Sequence, residues 1–107
     1  MGSNADPLFD VRTPLGFRVT VTRKRWELIT REKHPVMRGE KWSVKAALET
    51  PDEIRRSRTD ESVYLFYKIQ RVKRWICAVA KQTDDQGFLI TAYPTDAIKE
   101  GMRVWPK

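Results

Sequence analysis

The chain has few of the residues that anchor most metal and redox centres: one histidine and one cysteine among 107 residues. A lone cysteine, Cys77, excludes an internal disulfide and fits a reducing compartment. One imidazole and one thiol are too few for an ordinary structural zinc site, so neither a metal nor a cofactor is expected. No Gly-rich phosphate loop, nucleophile elbow or pair of catalytic carboxylates can be found. Long apolar runs are missing as well. The longest fall far short of a membrane span, and no charged n-region with an apolar h-region opens the chain. A protein without membrane attachment, in the cytoplasm, is the expectation.

What is present is charge. Lys and Arg number 21 against 14 Asp and Glu, a formal net charge of +7. Hydrophobic residues at 40% and charged residues at 33% describe a folded globular chain and not a disordered one. The length suits a single domain over 7–107 with a core of its own. Residues 1–6 read as tag-like and disordered. The cations cluster: Arg18, Arg23, Lys24 and Arg25; Arg55, Arg56 and Arg58; then Lys68, Arg71, Lys73 and Arg74 without an intervening acid. Such clusters are compatible with a solvated face that keeps the protein soluble. They are equally compatible with phosphate neutralisation along a nucleic acid or with an acidic protein partner.

Periodicity predicts the elements. Over 9–21 the apolar residues Phe9, Val11, Phe17, Val19 and Val21 alternate around a Thr13-Pro14-Leu15-Gly16 turn, which suggests a short hairpin. Thr22 is a candidate N-cap for a helix over 23–33, with Trp26 and Ile29 inward and Pro35 as its stop. A second helix over 40–49 carries Val44, Ala47 and Leu48 on one face. From residue 53 the period becomes two. A short strand over 53–57 precedes three convincing strands over 63–69, 75–81 and 88–93, with a hairpin loop over 83–87. Short links join antiparallel neighbours, which makes this part a meander. One helical turn over 96–100, closed by Gly101, and an edge strand over 102–105 complete the chain. The expected architecture is α+β, with two N-terminal helices packed on a four-stranded antiparallel sheet after the hairpin.

The candidates for chemistry are few. His34 falls at a helix end, where the dipole favours the imidazolium and nearby cations oppose it, so it can titrate near neutral pH as a general acid or base. It can also simply cap carbonyls or pack beside Pro35. Arg55 and Arg56 alternate onto opposite faces of a strand, and one guanidinium is placed to fork onto a phosphate. The pattern leaves open which one. Lys81 puts an ammonium where the Trp75-Cys77-Val79 face had been apolar. Thr91 and Tyr93 share a strand face and offer a hydroxyl and a phenol to a phosphate, or are ordinary strand formers. Cys77 reads as inert core, and Trp26, Trp42, Trp75 and Trp105 as core and edge packing. Tyr64, Phe66 and Tyr67 are aromatics amid cations, a pattern that can stack unpaired bases.

In order, Trp26, Ile29, His34-Pro35, Val44, Leu48, Pro51-Asp52, Ile54-Arg55, the Leu65-Phe66-Tyr67 strand, the strand over 79–81 and the run Gly87-Phe88-Leu89-Ile90-Thr91-Ala92-Tyr93 resemble a family. It is the phage- and mobile-element-associated nucleases of the barnase–EndoU–colicin–RelE (BECR) superfamily, and the likeness covers most of 17–105. It implies helices followed by a four-stranded sheet and metal-independent cleavage of RNA by a toxin, with an acidic antitoxin or immunity protein as partner. It further implies His34 as acid/base, Arg55 or Arg56 as phosphate clamp, Lys81 as a second cation, and Thr91 with Tyr93 positioning the scissile phosphate. Arg56, Arg58, Lys68, Arg71, Lys73 and Arg74 would line the RNA. One histidine excludes a two-histidine pair, so another residue must supply the second proton transfer. The competing expectations are a non-catalytic basic module for nucleic acid or an acidic protein, and an interaction protein whose sheet edge pairs with a partner.

Overall fold

Residues 7–107 are described by a computed structural model; residues 1–6, read above as tag-like and disordered, lie outside the described residues. The strands are β1 (Pro7–Arg12), β2 (Arg18–Thr22), β3 (Glu53–Arg56), β4 (Val63–Arg71), β5 (Arg74–Thr83), β6 (Gln86–Thr95) and β7 (Met102–Trp105). They form one seven-stranded sheet in the order β1-β2-β6-β5-β4-β3-β7. Two short α-helices among the described residues, α1 (Arg23–Leu28) and α2 (Lys41–Glu49), pack on one side of it. No helix among them is long and apolar enough to cross a membrane.

The expectation of two helices on a four-stranded antiparallel sheet is therefore corrected. The N-terminal hairpin is not a separate appendage, because β2 pairs in parallel with β6 through Arg18–Gln86, Val19–Gly87 and Thr20–Phe88. At the other edge β7 folds back to pair with β3. Alternation along a segment reveals a strand and its faces, but carries no information about a partner more than sixty residues away. The β3–β6 meander is antiparallel throughout, as its short connections require. The β5–β6 link is tighter than expected, with the strands joined by Asp84-Asp85 alone. Gly87 is a strand residue whose bareness admits the Phe17 ring: a Cβ there would lie 2.8 Å from that ring and 2.9 Å from the Lys81 carbonyl oxygen.

The helices form where their ends and faces allow. Thr22 caps α1 by accepting the Arg25 N–H at 3.2 Å. The predicted helix over 23–33 is α-helical only to Leu28, after which Ile29–Lys33 form a π turn. Thr30 lies in this turn and donates its hydroxyl to the Trp26 carbonyl at 2.9 Å, competing with the helical ladder. The His34 N–H then reaches back five residues to the Ile29 carbonyl at 2.7 Å. A 3₁₀ turn over Pro35–Met37 follows and buries Met37. On α2, Val44, Ala47 and Leu48 are fully buried, as their spacing predicts.

Burial divides the sheet into two faces. Val19, Val21, Ile54, Phe66, Ile76, Ala78, Ala80, Leu89 and Ala92 point under the helices and form the main core with Phe17, Ile29 and Met37. The alternate residues Leu65, Tyr67 and Cys77 form a smaller cluster on the other face, against Trp75, Val79, Tyr93 and Ile98. The segment 96–101 supplies Ile98 and is irregular, not the helical turn expected over 96–100. Thr95 turns it away from a helix by donating its hydroxyl to the Ala97 carbonyl at 3.1 Å. Gly101 then brings it down onto β3 at φ +80°, with a Cβ position only 2.6 Å from the Arg56 carbonyl oxygen. Gly101→Ala is thus expected to destabilise the protein by about 2 kcal/mol or more, from left-handed strain and backbone overlap together. A urea titration showing an unchanged midpoint would overturn that account.

Candidate functional site

The face without helices collects the polar candidates in rows set by strand register. Glu53, Tyr67, Cys77 and Tyr93 stand side by side across four strands. The next row is Arg55, Leu65, Val79 and Thr91, and the one beyond holds Val63, Lys81 and Phe88. A groove of about 510 Å³ opens over these rows. It is lined by Ser57, Arg58, Thr59, Val63, Leu65, Val79, Tyr93, Lys99, Glu100 and Gly101.

His34 reaches this face from the helical side of the chain. Its ring lies 5.7 Å from the Tyr93 ring, centre to centre, at an interplanar angle of 47°. The backbone at His34 is fixed from both directions. Its N–H donates to Ile29, and its carbonyl accepts the Met37 N–H at 2.9 Å. The π turn is the local device that aims it, because the extra residue in the turn shifts every following side chain around the helix axis. Wide turns of this kind recur at functional positions.

Beneath Tyr93 the site is dry. Burial raises the Tyr93 phenol far above its ordinary range, and the neighbouring Cys77, Tyr67 and Glu100 push in the same direction. Tyr67 is raised for the same leading reason. Tyr93 is therefore a neutral phenol at physiological pH, a hydrogen-bond donor and not a base. Burial also pushes the Cys77 thiol up to about 12 from an ordinary 9.0, opposed in part by the Tyr93 and Tyr67 hydroxyls. Such a thiol is a poor nucleophile at neutral pH, which agrees with its reading as inert core. The Thr91 hydroxyl is buried and has no hydrogen-bond partner among the described residues.

The two arginines separate as alternation requires, and the structure assigns them. Arg55 faces the groove side, with Nε donating to Glu53 Oε2 at 2.6 Å and Nη1 to the Gly101 carbonyl at 3.3 Å. Arg56 faces the helical side and donates to the Tyr64 hydroxyl at 3.0 Å. Lys81 shares the open face but stands four residues from Cys77, about 13 Å along the strand, paired with Asp60 at 3.5 Å. Asp60 is lowered from its ordinary value, first by the Ser62 hydroxyl and backbone N–H and then by Lys81.

The proposed RNA-lining residues do not form one surface. Arg58 lies on the groove. Lys68 is on the helical side, where its ammonium donates to the Thr50 carbonyl at 2.6 Å and closes the end of α2. Arg71 and Lys73 sit at the β4–β5 tip beside Val72, which is 85% exposed, and Arg74 there donates to Gln70 at 2.8 Å. This tip and Lys81 lie at opposite ends of the meander, with the Tyr93 row between them. Of the tryptophans assigned to packing, Trp42 is 62% exposed, its ring 6.5 Å from that of Phe9. Tyr64, Phe66 and Tyr67 are all buried and stack no ligand.

Lys99 and Glu100 escaped the sequence reading, having been placed in a helical turn. The available signal was Gly101, whose position after Thr95 and Pro94 fits a folded-back strap as well as a helix end. No protein-family model, curated protein or solved structure matches the chain.

The dry Tyr67-Cys77-Tyr93 row has a measurable consequence. An unfolded chain ionises Cys77 near 9.0, whereas the folded chain holds the proton to about 12. This contribution to stability is complete below the unfolded value and is lost as pH rises through the folded one. The urea midpoint should stay level near neutral pH and fall above about 9. Cys77→Ala should make that alkaline fall shallower. Equal slopes for the two proteins would refute the assignment.

Proposed function

We propose that the protein is a metal-independent endoribonuclease that acts in the cytoplasm as a toxin of a toxin–antitoxin or phage and mobile-element conflict system. The observation that carries the reading is the His34 ring tilted against Tyr93, which lines a groove that also holds Arg58, Lys99 and Glu100. Support also comes from the order of residues that resembles the BECR nucleases, and from the net charge of +7, which favours capture of a polyanion.

In this mechanism RNA lies across the face without helices. His34 takes the proton of a ribose 2′-hydroxyl, and that oxygen attacks the adjacent phosphorus as the bond to the 5′-oxygen breaks. The Tyr93 phenol donates a hydrogen bond to a phosphate oxygen, while Arg58, Lys99 and the unused Nη2 of Arg55 hold the developing charge. Glu100 lies on the same groove wall as Tyr93 and takes the second proton-transfer role, its carboxylate relaying a proton from solvent to the leaving oxygen. Glu53, in the same strand row as Tyr93, is committed to Arg55. Lys81 is too far along β5 for the scissile phosphate and holds a flanking one. The products are a 2′,3′-cyclic phosphate and a free 5′-hydroxyl. An acidic antitoxin or immunity protein would inhibit by covering this face.

A second reading, a non-catalytic basic module for nucleic acid or an acidic protein, draws on one observation. Arg55 and Lys81 already have carboxylate partners at 2.6 and 3.5 Å, and both must exchange them to bind phosphate.

The purified protein should cleave RNA but not DNA, equally with and without chelator. His34→Ala and Glu100→Gln should each lower the rate about 100-fold or more. Intact RNA with the wild-type protein, or full activity of the His34 variant, would refute the nuclease. Salt-sensitive binding without cleavage would establish the second reading.

A further inference from the structure

Phe88 is a side chain on the open face whose exposure neither the fold nor the proposed chemistry explains. It is a phenylalanine inside a strand, 43% exposed. Its neighbours across the sheet are Lys81 on β5 and Thr20 on β2. Lys81 is directly opposite, so the two β-carbons stand about 5 Å apart on the same face. Two residues along β2 from Thr20 stands Arg18, which pairs with Asp10 at 3.1 Å while its side chain remains 46% exposed. A flat apolar ring is thus set between two exposed cations, Lys81 and Arg18, on a face that carries further cations at Arg58 and Lys99.

We propose that Phe88 is a stacking platform for one unpaired nucleobase of a single-stranded nucleic acid, with Lys81 and Arg18 neutralising the phosphates on either side of that nucleotide. The chemistry of the trio selects this occupant. A ring exposed on a strand has its face available for stacking, and every base has a π-face to offer it. A purely apolar partner would have to bury both ammonium and guanidinium without compensation. Duplex would present phosphates but no base, since its bases are already stacked on one another.

The platform extends the RNA reading of the groove and rests on it for the identity of the natural strand. Along β6, Phe88 and Tyr93 are separated by about 13 Å. The base held at Phe88 is therefore not one that flanks the cleaved bond. The site is one of binding and register, and Phe88 is a positioning residue. It holds the strand while His34 meets the 2′-hydroxyl elsewhere.

The test uses a fluorescently labelled single-stranded DNA of about eight nucleotides, which lacks the attacking hydroxyl and so reports binding without cleavage. Fluorescence anisotropy should show Phe88→Ala and Phe88→Leu each binding about 10-fold more weakly than wild type. Phe88→Trp should retain the affinity, and Trp42→Ala on the distant α2 surface should be unaffected. Duplex DNA of the same sequence should bind wild type and Phe88→Ala alike. Equal affinity of the Leu variant and wild type, or no binding of the single strand by wild type, would overturn the platform. Cleavage of RNA by wild type and its loss in His34→Ala is read in a separate assay. The nuclease can therefore fail while the platform stands, and the reverse.

Discussion

One irregularity in β6 decides what the open face contains. From Thr95 back to Thr91 the strand pairs with β5 in regular register, but Val79 faces Thr91 while Ala80 faces Leu89. Ile90 is the extra residue, a β-bulge in a central strand. In an unbroken strand Phe88 and Tyr93, five residues apart, would point to opposite faces. The bulge restores both to the same face, and it lets Leu89 and Ala92, three apart, both be fully buried under the helices. The core demands those two apolar residues inside. The face opposite acquires Phe88, Thr91 and Tyr93 as the consequence.

β6 can tolerate the interruption because it is held from both sides. β5 pairs with it through nine residue pairs, and β2 pairs with it in parallel through Val19 and Thr20. The parallel pairing also ties the N-terminal hairpin to the meander, so α1, which begins directly after β2, is placed over the same half of the sheet. From there the π turn delivers His34 to Tyr93. Two departures from ideal geometry, an extra residue in a helical turn and an extra residue in a strand, thus converge on a single contact. Each alone would point its side chain elsewhere.

Local chemistry was legible in the sequence and long-range pairing was not. Thr22 as a cap, Pro35 as a stop, the buried trio of α2 and the three long strands follow from nearest-neighbour rules, and the structure keeps them. The seven-stranded mixed sheet does not follow, because β2 and β6 each look like an ordinary half-buried strand whichever neighbour they take. The site was legible to the same depth. That Thr91 and Tyr93 share a face is a matter of spacing, but their meeting with His34 depends on the π turn, for which Thr30 is the only sequence cue. The choice between Arg55 and Arg56 needed the register of β3. Lys99 and Glu100 were hidden by a segment whose composition suits a helical turn equally well.

The two faces also differ in how well their polar groups are satisfied. On the helical side Lys68 closes the end of α2 and Arg56 bonds the Tyr64 hydroxyl. These cations stabilise the fold. On the open side Arg55 and Arg103 stand directly opposite each other across β3 and β7, an arrangement of like charges that is unfavourable in a sheet. The same face has a buried threonine hydroxyl without a partner among the described residues and a half-exposed phenylalanine. Natural sequences are locally consistent where folding alone selects them, and inconsistencies gather where binding or chemistry selects instead. Three such features, the Arg55–Arg103 pair, the Thr91 hydroxyl and Phe88, lie on the open face, while the exposed Trp42 stands on the helical side. Arg55 offsets the repulsion through its ion pair with Glu53 and its bond to the Gly101 carbonyl, so its guanidinium is held by partners on its own face.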